Sequence, residues 1–125
     1  MLDKFEAFQM AKKYYWLCKE AKLPRYLQDQ LFRASSSIAL NLAEGSGKRT
    51  VADQKRFYSI SLGSLRECSA ILELEKINDP ILQELQNRLG AILYVLSKRP
   101  VISQPNTVRK TLTETETVTD MPFEY

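Results

Sequence analysis

A chain of 125 residues is one domain's worth, long enough for a modest core without disulfide or metal staples. Hydrophobic residues at 44% and charged residues at 26% exclude wholesale disorder. No apolar run approaches the roughly 18–20 residues that cross a bilayer, and the opening MLDKFEAFQM lacks the layout of a signal peptide, so a cytoplasmic protein without a membrane partner is expected. The net charge of +3 is unevenly spread: from Lys12 to Arg66 stand eleven Lys/Arg against four Asp/Glu, or +7, and the remainder carries −4. A concentrated basic stretch points to an anionic partner, with a solvated face as the rival reading.

The first helix is expected from about Asp3 to Lys22. Asp3 and Glu6 have the spacing of a capping pair, and Pro24 stops the run. Its apolar positions form two stripes stepping by threes and fours: Phe8, Ala11, Tyr15, Cys18 and Ala7, Met10, Tyr14, Leu17, Ala21. A second helix is expected from Pro24, a good first helical residue, to Gly45, read as a left-handed C-cap. Leu27, Leu31, Ala34, Ile38 and Leu42 give its buried seam. Ser35, Ser36, Ser37 and Ala39 are small enough to let a neighbouring helix come close. Thr50 with Asp53 caps a third helix reaching about Ile77, with stripes Phe57, Ser61, Ser64, Cys68, Ile71 and Tyr58, Leu62, Leu65, Ser69, Leu72. Asp79-Pro80 opens a fourth, with Leu85, Leu89, Ile92 and Leu96 as a heptad seam and Pro100 as its stop.

Four amphipathic segments joined by short loops predict an all-α, up-down-up-down four-helix bundle over residues 1–100. Residues 101–125 read as a threonine-rich, polar, non-helical C-terminal tail, with Thr111, Thr113, Thr115, Thr117 and Thr119 interleaved with Glu114, Glu116 and Asp120. Its composition suits a solvated tail, and its alternation suits a segment extending along a partner.

The chain has no histidine, which removes the commonest general base and metal ligand. Cys18 and Cys68, far apart and without CxxC spacing, read as small core residues rather than nucleophiles or ligands. No catalytic residue, metal or cofactor is expected, and the chain is not read as an enzyme. The stretch Gly45-Ser46-Gly47-Lys48-Arg49-Thr50 fails as a P-loop: the first glycine position falls on Leu42, Arg49 follows Lys48, and a helix precedes it. It reads as a turn capped by Gly45 and Thr50, or as free helix-start amides that hold a backbone phosphate with Lys48 and Arg49.

Trp16 has Lys12, Lys13, Lys19 and Glu20 as its helical neighbours and so falls on the polar face. Three roles stay open for it: stacking on a nucleic-acid base, filling a protein interface, or a peripheral core position. With Lys12, Lys13, Lys19, Lys22, Arg25, Arg33, Lys48, Arg49, Lys55 and Arg56, it makes up the candidate set for binding RNA or DNA. Helices one to three each carry more than one apolar stripe, as with Tyr14 beside Tyr15 and Phe57 beside Tyr58. One bundle buries roughly a 100°-wide face per helix, so the surplus predicts self-association.

The run from Leu31 to Gly47 (LFRASSSIALNLAEGSG) and the later run from Phe57 to Glu67 (FYSISLGSLRE) resemble the signature of the bacterial four helix bundle protein family. That family includes the proteins encoded by intervening sequences in large-subunit ribosomal RNA genes, and relatives of the accessory variability determinant of diversity-generating retroelements. The resemblance leaves the threonine-rich tail outside. It implies a subunit of a homopentameric barrel without catalysis and, in the retroelement branch, a basic surface that binds nucleic acid and a reverse transcriptase. Asn41 and Glu44 read within that motif as interhelical hydrogen-bonding residues, and Gly45 as the turn. The expected function is an oligomeric RNA-binding accessory protein. The alternative is an oligomeric protein-interaction scaffold that binds no nucleic acid.

Overall fold

The computed structural model describes residues 2–98; the threonine-rich tail and the expected stop at Pro100 lie outside the described residues. A single 3-10 turn, Leu2–Lys4, precedes four helices: α1 (Glu6–Lys19), α2 (Arg25–Ser46), α3 (Val51–Leu74) and α4 (Pro80–Lys98). Across α2 and α3, Gln30 meets Glu67, Ser37 meets Ser64, and Gly45 meets Phe57 and Tyr58. Numbers rise on one helix as they fall on the other, so the pair is antiparallel. Each helix packs on its chain neighbours and α1 closes the square against α4, with α2–α3 the most extensive of the four contacts and α1–α4 the least. The chain is an up-down-up-down four-helix bundle with no strand among the described residues.

The helix starts show which local signals prevailed. Thr50 caps α3 as expected, its hydroxyl accepting from the Asp53 amide at 3.1 Å. Asp79 caps α4 through Oδ1, which accepts from Ile81 at 3.0 Å and Leu82 at 3.3 Å. Helix α1 departs from expectation: it starts at Glu6 with Phe5 in the cap position and no side-chain cap, and it ends at Lys19 rather than Lys22. The Asp3–Glu6 capping pair does not form there. Instead Phe5 packs on the core with its ring centroid 6.3 Å from that of Tyr58, an apolar anchor where a polar cap was expected.

Gly45 is not a left-handed cap. Helix α2 runs through it to Ser46, and Gly47 closes the helix at φ −91°. The reason for a glycine at 45 is space: an added Cβ would lie 2.8 Å from Tyr58 Cε1 and 3.0 Å from Phe57 Cβ. The left-handed cap stands elsewhere. Helix α3 stops at Leu74, short of Ile77, and Lys76 takes φ 55°. The Ile77 amide then donates to Leu72 at 2.9 Å and the Lys76 amide to Glu73 at 3.1 Å, a Schellman closure that folds Ile77 back on the core.

The expected α2 seam, from Leu27 to Leu42, is buried throughout. On α4 the seam runs Leu82, Leu85, Leu89, Leu93 and Ser97, leaving Ile92 and Leu96 half-buried on a flank. A straight helix drifts about 20° per heptad, which carries a strict heptad pattern out of the core. Small residues draw α2 and α3 together: Ser61 donates across to the Ile38 carbonyl at 2.9 Å, and Ser64 to the Ser37 hydroxyl at 2.9 Å. Asn41 bonds within α2 to the Ser37 carbonyl and hydroxyl, and Glu44 pairs with Lys48 at 3.1 Å. The interhelical role read for Asn41 and Glu44 therefore falls to the serines.

One polar chain crosses the core. Tyr14 donates to Gln86 Oε1 at 2.7 Å, and Gln86 Nε2 donates to the Ser69 hydroxyl at 3.1 Å, tying α1 to α4 and α3. All three side chains are buried, and among the described residues no buried side-chain nitrogen or oxygen lacks a partner.

Candidate nucleic-acid interface

The antiparallel topology divides the basic candidates by their place along the bundle. Lys19, Lys22 and Arg25 gather at the α1–α2 turn. Lys48, Arg49, Lys55 and Arg56 lie at the opposite end, about 30 Å away by the length of α2. Lys12, Lys13 and Trp16 sit between them on α1, and Arg33 is exposed midway along α2. The structure thus divides the basic stretch of the sequence into separate clusters.

At the α2–α3 turn, Lys48 is paired with Glu44 and lies 5.0 Å over the Phe57 ring, while Arg56 lies 4.6 Å over the same ring. The Thr50 hydroxyl already engages an amide at the start of α3, and Gln54 reaches back to the Lys48 carbonyl at 3.1 Å. Of the two caps read for this turn, Thr50 is in place and Gly45 is not, since α2 closes at Gly47.

The middle cluster is different. Trp16 is 56% exposed, on the polar face as its neighbours predict, with Lys12 Nζ 5.6 Å from the ring centroid. Lys19 turns away to Tyr15, at 5.3 Å. Beside Trp16 runs a groove of about 420 Å³ between α1 and α4, lined by Glu6, Gln9, Met10, Lys12, Lys13 and Trp16 from α1 and by Leu85 and Arg88 from α4. Arg88 escaped the sequence reading because α4 lies outside the basic stretch. Its spacing, three after Leu85 and four before Ile92, is the signal that places it on the flank of the seam.

Two buried titratable groups are held in their neutral forms. Burial, then the neighbouring Cys18 and Cys68, holds the Tyr14 phenol far above the usual tyrosine range. Hydrogen bonding with Cys18, then burial, holds the Cys68 thiol high in the same way. Both cysteines are free and buried, as core residues, and the Cys68 thiol, held protonated, is a poor nucleophile. Among the described residues no group of acidic, cysteine or histidine side chains is placed to hold a metal, and no helix is long and apolar enough to cross a membrane.

Fold and surface together define a small four-helix bundle whose most distinctive site is a basic, aromatic groove. The chain belongs to the 23S rRNA-intervening sequence protein family, whose model matches residues 5–101. The match covers all four helices and ends where the threonine-rich segment begins, in keeping with the resemblance read from the motifs around Asn41–Gly47 and Phe57–Glu67. No curated protein and no solved structure matches the chain.

Proposed function

We propose that the protein is a non-enzymatic, oligomeric, cytoplasmic bundle that binds RNA, and that it serves a retroelement reverse transcriptase as an accessory factor. The observation that carries the RNA reading is Trp16: a large aromatic ring, more than half exposed, set among Lys12, Lys13 and Arg88. Phosphate contacts supply affinity and exposed aromatic rings stack on bases, so the two residue types together suit a nucleic acid better than either suits it alone. Self-association, as a pentamer on the family resemblance, would multiply the basic clusters and steepen the salt dependence. Lys12→Glu with Lys13→Glu should sharply weaken RNA retention on a filter and leave the helical circular dichroism unchanged. Unaltered affinity in that double variant would remove this face from the function.

A second reading, an interaction scaffold without RNA, is favoured by a different face. Tyr26, Leu40, Ile60 and Leu74 are exposed, and their spacing from Gln30, Ser37, Ser64 and Glu67 puts all four along the outer side of the α2–α3 seam. An apolar ridge of this kind suits contact between copies. Light scattering that reports a monomer at micromolar concentration would remove the oligomer from either reading.

A further inference from the structure

The α1–α4 contact is the least extensive in the bundle, and its outer side stays open as a groove. Met10 and Leu85, both buried, give an apolar floor; Trp16, Lys12, Lys13 and Arg88 stand around it. None of the three cations is in an ion pair with a described carboxylate. Glu6 is the single carboxylate in the lining and lies ten residues before Trp16, about 15 Å along the helix axis. The end of the groove at Trp16 is therefore cationic as well as apolar.

Resting on the RNA reading above, we infer that this groove is a subsite for an unpaired RNA base, stacked on Trp16 above Met10 and Leu85, with the flanking phosphates on Lys12, Lys13 and Arg88. The choice of occupant follows from chemistry. A flat apolar ring edged with phosphates matches an apolar floor edged with unpaired cations. A protein surface matches less well, because interface cores are depleted in lysine. A duplex matches less well again: its base faces are already stacked and its sequence-bearing groove is closed to side chains, so it offers Trp16 nothing to stack on. The basic clusters at the two ends of the bundle remain able to hold duplex phosphates, so the groove adds a preference for unpaired strand rather than all of the affinity.

Trp16 is the only tryptophan in the chain, so intrinsic tryptophan emission reports on this site alone. The experiment titrates the full chain at low salt with an unstructured RNA of ~12 nucleotides and with a duplex of the same length. The single strand should quench Trp16 emission and the duplex should not. Trp16→Leu should weaken single-strand binding roughly ten-fold and leave duplex binding as it was. Arg88→Ala, with its fold checked by circular dichroism, should weaken single-strand binding and reduce the quench. Single-strand binding that leaves the emission unchanged, or that Trp16→Leu does not weaken, overturns the subsite and leaves the RNA reading standing. Emission that shifts with protein concentration alone also overturns it, since another copy then covers the groove. Failure of both RNAs to bind overturns the RNA reading, and the subsite with it.

Discussion

The α2–α3 and α1–α4 contacts hold the same bundle together by opposite means. Between α2 and α3 the side chains are small: Ser61 reaches the Ile38 backbone, Ser64 reaches Ser37, and Gly45 lies against Tyr58. Hydroxyls that bond directly across the seam leave no room for a third party. Between α1 and α4 the long side chains of Tyr14 and Gln86 join the helices within, and a groove parts them outside. The comparison teaches where a four-helix bundle can keep a site. The tight pair supplies rigidity, and the loose pair supplies a surface with shape.

The largest test of the comparison is at Gly45. Replacing a helical glycine by alanine ordinarily gains about 0.5–1 kcal/mol. Here the new Cβ would meet Tyr58 Cε1 at 2.8 Å and Phe57 Cβ at 3.0 Å, neither on a flexible chain end. Overpacking of this kind costs about 1–3 kcal/mol, so the clash wins. Gly45→Ala should destabilise by about 1–2 kcal/mol, and Gly45→Val by about 3 kcal/mol or more, in chemical denaturation. A neutral Gly45→Ala would mean that α2 and α3 are free to part, and the contrast between the two contacts would collapse.

The looser pair is tested by Tyr14→Phe. The variant keeps the ring but leaves Gln86 Oε1 without its donor inside the core, a loss of about 1–2 kcal/mol at neutral pH. The pH dependence sharpens this. Burial raises the Tyr14 phenol above its unfolded value, so its contribution is intact below the ordinary tyrosine value of about 10 and is lost above it, where the unfolded chain ionises first. The gap between wild type and Tyr14→Phe should therefore narrow above pH ~10, by up to about 1.4 kcal/mol per pH unit. A gap that stays constant to high pH would show that the phenol is not sealed in the core.

Periodicity made the bundle legible, because apolar spacing alone separates helix from strand and the α2 seam lies where it was expected. The Thr50 and Asp79 caps were legible because a short polar side chain followed by a helix leaves few alternatives. What escaped were decisions made by packing. Phe5 displaced the Asp3–Glu6 cap because its ring could bury against Tyr58. Gly45 looked like a left-handed cap because backbone freedom and close approach both select glycine. The true left-handed cap fell on Lys76, where nothing in the residue type announces it. The site was half legible. Trp16 and its lysines showed on α1, but Arg88 and Leu85 came from a helix outside the basic stretch, and only the α1–α4 pairing brings them into one groove.

The smallest expected effect separates the two contacts by what lies outside them. Gly63 is in the interior of α3, exposed, and an added Cβ would meet nothing within 4 Å. The helical preference for alanine then acts alone, and Gly63→Ala should stabilise by about 0.5–1 kcal/mol, opposite in sign to Gly45→Ala. The position lies near the exposed ridge of Tyr26, Leu40, Ile60 and Leu74, one residue before Ser64 on the α2–α3 seam. If that ridge packs closely against another copy, the methyl group would intrude, and the gain would shrink or reverse as protein concentration rises. A gain that holds at every concentration means that no helix passes close over Gly63. Association would then have to use a different face, and the α1–α4 groove would be the first to re-examine, since covering it would close the subsite around Trp16.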